Sequence, residues 1–102
     1  MTIVSFKESL ATDKPPAEAS LHLKALWYDA KGEWDMAHTQ IQDMEDSNAA
    51  WVHAYLHRKE GDMANAGYWY RRAGKNMPGI PLEKEWENIV EDLINKTTPP
   101  KK

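Results

Sequence analysis

A chain of 102 residues with 41% apolar and 28% charged side chains has the make-up of one small globular domain, and its net charge of −3 disfavours a general nucleic-acid binder, which carries a basic excess or stripe. The absence of cysteine excludes disulfides and thiolate chemistry, and no apolar run approaches the roughly 20 residues that a membrane span needs. The opening segment MTIVSFKESLATDK lacks the basic stretch and long apolar run of a signal peptide, so the expectation is a soluble cytoplasmic protein.

Residues 1–12 form an N-terminal arm in which Ile3, Val4, Phe6 and Leu10 fit either a frayed helical turn or an extended segment over the core. Asp13 to Pro16 reads as a helix start, a capping carboxylate followed by prolines in the first turn. From there Ala19, Leu23, Leu26, Trp27 and Ala30 recur at helical spacing up to Gly32, where a left-handed C-terminal residue belongs. A second helix carries Trp34, Ala37, Ile41 and Met44 on one face. Asp46-Ser47-Asn48 breaks that pattern and caps a third helix, Ala49 to Glu60. Gly61 ends it, and Asp62 caps a fourth helix from Met63 to about Ala73. After the turn Pro78-Gly79-Ile80-Pro81, a fifth helix from Leu82 to Asn95 puts Trp86, Ile89, Val90 and Leu93 on one face and acidic residues, Glu85 among them, on the solvated other. Residues 13–95 thus make a single domain, and residues 96–102, with two prolines and three lysines, a disordered tail. The expected core is Leu23, Leu26, Trp27, Ala37, Ile41, Ala54, Ala66, Tyr70, Trp86, Ile89 and Leu93.

Aligning Gly32 with Gly61, an offset of 29 residues, superimposes the two helical pairs. Ala25 falls on Ala54, Tyr28 on His57, Ala37 on Ala66, Ile41 on Tyr70 and Met44 on Ala73. Repetition of paired helices marks a stacked array. The pattern over residues 19–78 resembles tetratricopeptide repeats, whose small residue of the first helix would be Ala25 or Ala54, turn glycine Gly32 or Gly61, alanine of the second helix Ala37 or Ala66, later aromatic Tyr70 and terminal proline Pro78. The offset is shorter than the roughly 34 residues of that family, and the early tryptophan is missing. The resemblance implies an all-α fold of about five helices, two antiparallel hairpins and a closing helix in a right-handed array. The string HAYLHRKEGDMANAGYWYRRAG, within residues 51–74, also resembles a family of small bacterial proteins with no established activity, which implies a bacterial origin and no mechanism.

Five Trp and four Tyr against one Phe suit a thin core or a binding face. His53 and His57, four apart on one helix, share a face; they either pack as core aromatics or, with Glu60, Asp62 or His22 as a third donor, hold a metal. Arg58, Arg71 and Arg72 match either anions or the C-terminal ends of their own helices. Of the run Tyr68-Trp69-Tyr70 the repeat register sends Tyr70 inward and leaves Tyr68 and Trp69 at the surface. No nucleophile elbow, phosphate-cradling loop or dinucleotide fingerprint is present, so the residues lean away from an enzyme and imply no cofactor. The expected function is a small interaction module that binds a protein or peptide segment, or a small anionic ligand, through His53, His57, Arg58, Trp69 and Arg72. Two alternatives stand beside it: a metal protein or enzyme built on the His53/His57 pair, and a self-associating homodimer.

Overall fold

The computed structural model describes residues 1–97, leaving the remaining residues of the expected tail outside. It is all-α, with six helices: α1 Ile3–Ser9, α2 Leu21–Ala30, α3 Trp34–Ile41, α4 Ser47–Lys59, α5 Met63–Ala73 and α6 Leu82–Thr97. None of them is long and apolar enough to cross a membrane.

The sixth helix comes from the N-terminal arm. Thr2 and Ser5 cap α1 reciprocally, each side-chain oxygen accepting the other's backbone N–H. Phe6 is then driven fully into the core, 5.9 Å from the Trp86 ring. Trp27 Nε1 donates to Ser9 Oγ and Lys31 Nζ to the Leu10 carbonyl, so α2 holds the C-terminal end of α1, while Lys7 pairs with Glu87 of α6. A seven-residue helix is too short to persist without such contacts.

The expected helix start at Asp13 is replaced by a loop, and α2 begins only after Ser20, whose side chain accepts the Leu23 N–H. The consecutive prolines explain the delay. Each disfavours helical backbone in the residue before it, so Pro16 keeps Pro15 out of the conformation a first turn requires. The second helix is likewise shorter than expected and ends at Ile41, whereas α4 gains Ser47 and α6 runs two residues past Asn95. Lys96 is therefore helical and bonds Asp92 and Asn48.

Gly32 and Gly61 both adopt positive φ, 82° and 87°, open only to glycine without strain. Around each, the same hydrogen bonds close the helix: Gly32 N–H to Asp29 and Glu33 N–H to Tyr28, then Gly61 N–H to Arg58 and Asp62 N–H to His57. The 29-residue repeat is thus present in the backbone of the α2/α3 and α4/α5 turns. Gly67, inside α5, admits no neighbouring helix; only the Arg71 guanidinium lies within 4 Å of where its Cβ would stand.

Every residue of the expected core is buried, and Phe6, Val52, Tyr55, Leu56 and Val90 join it. Two clusters form. The larger joins α1, α2, α3, α4 and α6; the smaller is Ala54, Ala66 and Tyr70 between α4 and α5, with Trp51 and Trp69 packed on it. Because Phe6 fills a site with no exposure, Phe6→Ala should cost about 3–5 kcal/mol. Urea denaturation should show the loss as a lowered midpoint, with the slope unchanged if α1 remains docked.

Candidate functional site

The α4/α5 hairpin carries all five residues expected to bind a ligand, yet it sends them to three different places. Arg58 leaves the surface. Its Nη1 lies 2.7 Å from Glu85 Oε1 and its other terminal nitrogen donates to the Ile80 carbonyl. Glu85, expected on a solvated acidic face, is 2% exposed and also accepts from the Tyr70 hydroxyl at 2.6 Å and, at 3.4 Å, from Trp51 Nε1. Burial raises the Tyr70 hydroxyl pKa, and the adjacent Glu85 charge raises it further, so Tyr70 stays a donor. The geometry explains the correction: Glu85 precedes the buried Trp86 by one residue, and the chain entering α6 at Ile80 closes over Arg58, so both charges are enclosed together. Glu60 and Asp62, close to Arg58 in sequence, are engaged elsewhere.

His53 and His57 turn toward α3, where they meet His38, a residue the spacing of the sequence does not connect with them. His38 Nε2 and His53 Nε2 are 2.8 Å apart, so one carries a hydrogen and donates to the other. The His53 and His57 rings stack at 4.9 Å, and each also meets His38 edge-on. Tryptophans cover both ends of the group: Trp34 lies parallel to His38 at 5.1 Å, and Trp69 parallel to His53 at 3.9 Å. Trp34 is pinned in turn by a hydrogen bond from its indole to the Leu56 carbonyl. Glu60 Oε1 accepts from His57 Nδ1 at 2.6 Å, which fixes that ring's tautomer with its lone pair on Nε2. His22 takes no part; it bonds Asp46, the residue that caps α4, at 2.8 Å. Asp62 caps α5 through the Asn65 backbone and also accepts from the Asn65 side chain.

Trp69 and Arg72 stay at the surface. The Arg72 guanidinium lies 5.0 Å from the Trp69 ring centre and donates to the hydroxyl of Tyr68, itself 45% exposed. One turn on, Lys75 sits 4.1 Å over the Trp51 ring. Arg71, Arg72 and Lys75 form no ion pair among the described residues, whereas Arg58 and Lys59 both do. The α5 C-terminus is thus a basic edge backed by half-exposed indoles, and Trp51 and Lys75 belong to it although the sequence reading omitted both.

A separate cleft of about 470 Å³ opens between α1, α2, α4 and α6, lined by Leu10, Leu82, Trp86 and Tyr55, and shares no residue with this site. At its floor the buried Asp29 carboxylate accepts from Tyr55 and pairs with Lys59. Comparison with protein families, curated proteins and solved structures yields no match to this chain.

Two measurements check these environments. Arg58→Met leaves the Glu85 charge buried with no cation and should cost about 3–5 kcal/mol, much of it recovered when Glu85→Met is added. For His53, burial followed by the charges of His38, His57 and Arg72 pushes the pKa down to about 4, and burial also lowers His38. A depressed histidine pKa means the unfolded chain binds the proton better. Stability from this source is complete above the ordinary value near 6.5 and drains away as pH falls from there to about 4. The carboxyl pKa values of Asp62, through its bond from Asn65, and Glu87, through Lys7, are lowered from the ordinary 3.8 and 4.5, so their contribution is lost only as pH falls through those values and below. Chemical denaturation from pH 7 to 4 should show the decline, and His53→Phe should flatten it.

Proposed function

We propose that this protein is a non-enzymatic interaction module whose α5 edge binds an acidic peptide segment, or a small anion of the same chemistry. The observation that carries the reading is the group Arg71, Arg72 and Lys75: three cations without ion-pair partners among the described residues, set beside Trp51, Tyr68 and Trp69 on a chain of net charge −3. Guanidinium forks match carboxylates, and indole faces hold the alkyl stems of the cations in place while supplying apolar contact area. The site is narrower than His53, His57, Arg58, Trp69 and Arg72 together, because Arg58 is committed to Glu85 and His53 lies behind Trp69.

The scaffold that presents this edge we read as tetratricopeptide-like, in support of which stand the matched capping bonds of the Gly32 and Gly61 turns and the small residues Ala37 and Ala66 at equivalent positions, both fully buried. A bacterial origin rests on the resemblance of residues 51–74, and the cytoplasm remains the compartment we assign.

The test is a fluorescence titration with a labelled Asp/Glu-rich peptide and its Lys-rich counterpart. The acidic peptide should bind, more weakly as salt rises, and Arg72→Ala with Lys75→Ala should lower its affinity by about tenfold or more. Equal binding of the basic peptide, or an unchanged affinity in the double variant, overturns the reading.

A further inference from the structure

Between α3 and α4, three imidazoles converge from positions 38, 53 and 57, each offering one ring nitrogen within 4.8 Å of the others. Core histidines satisfy themselves most simply by bonding to backbone or to a hydroxyl. Here His38 and His53 instead point the same atom, Nε2, at each other across 2.8 Å. That contact uses one hydrogen and turns at least one lone pair inward. His57 contributes a further lone pair on Nε2, because its Nδ1 hydrogen is held by Glu60. A carboxylate on the far nitrogen is the arrangement that orients a metal-bound histidine and raises its basicity.

We propose that His38, His53 and His57 together bind one divalent transition-metal ion, with Glu60 as the positioning residue for His57. Three nitrogen donors and no thiolate select zinc, cobalt, nickel or copper over magnesium and calcium, which prefer oxygen. Nitrogens at roughly 2.0–2.1 Å from a tetrahedral zinc stand roughly 3.3 Å apart, so the His38–His53 contact has to open by about half an ångström. His38 is at the last turn of α3 and only half-buried, and its side chain can make that movement. For both Nε2 lone pairs to face the ion, the hydrogen between His38 and His53 has to pass to the far Nδ1 of its ring. Asp35 and Glu60 bring negative charge toward His38, opposing the Arg72 charge that reaches His53. Trp34 and Trp69 wall the site and limit rotation of the rings they cover. Three protein donors leave a fourth position for water or an outside ligand.

A second donor group, His57, Glu60 and Asp62, is also close enough to share an ion. It is the weaker arrangement, since Glu60 is spent on His57 Nδ1 and Asp62 on the start of α5. The proposal is independent of the acidic-peptide reading. Arg72→Ala with Lys75→Ala tests that reading and should leave the metal site intact.

The experiment is a titration of the chelator-treated 102-residue chain with zinc against a competing dye, and with cobalt followed by its visible absorption. One equivalent should bind, with the absorption of four-coordinate cobalt, and zinc should shift the ring proton resonances of His38, His53 and His57 together while those of His22 stay put. His38→Ala should weaken zinc binding beyond the roughly 10–100-fold that loss of an outer partner costs, and Glu60→Gln by about tenfold. Glu60 is exposed, so its variant reads the site without disturbing the packing. An affinity unchanged in His38→Ala, shifts confined to His57 or to His22, or no stoichiometric binding would each overturn the proposal.

Discussion

The buried carboxylate of Glu85 is the constraint to which the hairpin answers. A negative charge enclosed at 2% exposure persists only with donors on its oxygens, and here they come from three directions: Arg58 and Trp51 on α4 and Tyr70 on α5. One acceptor on α6 therefore sets the rotation of two other helices. Such a network adds little net stability over apolar packing of the same shape. It does oppose alternatives: a hairpin turned by one residue would bury the charge without its partners. Arg58 goes on to the Ile80 carbonyl, so the turn before α6 is bound into the same lock.

With Tyr70 directed at Glu85, the neighbours of Tyr70 on α5 have few places to go. Tyr68 and Arg72 face outward, and Trp69 lies across the end of the imidazole group. Trp69 therefore belongs to two environments, stacked on His53 inside and visited by the Arg72 guanidinium at the surface. That shared ring is a physical link between the interior histidines and the basic edge.

The apolar cleft lined by Leu10, Leu82 and Trp86 depends on α1. Without the burial of Phe6 beside Trp86, and the hold of Trp27 and Lys31 on the end of that helix, one wall would be lost. The short N-terminal helix is accordingly part of the domain's architecture rather than an appendage to it. Its ambiguity in sequence follows from its length, for two helical turns contain too few apolar positions to display a period.

What the sequence by itself determined is what short-range physics governs. Asp46 and Asp62 as caps, Gly32 and Gly61 as left-handed stops, and the buried stripes of α2, α3, α5 and α6 all depend on residues within a turn or two, and each was legible from spacing and residue type. The candidate site was legible only in part: residues 51–74 stood out, and Tyr68 and Trp69 lie at its surface as the register of α5 required. Only the tertiary structure decided that Arg58 is spent on Glu85, 27 residues away, that His38 joins His53 across 15, and that Asp29 meets Tyr55 and Lys59 across 26 and 30. An ionisable side chain reads the same in sequence whether water or a partner solvates it. Which of the two prevails depends on how helices from distant parts of the chain pack, and helical periodicity carries no record of that.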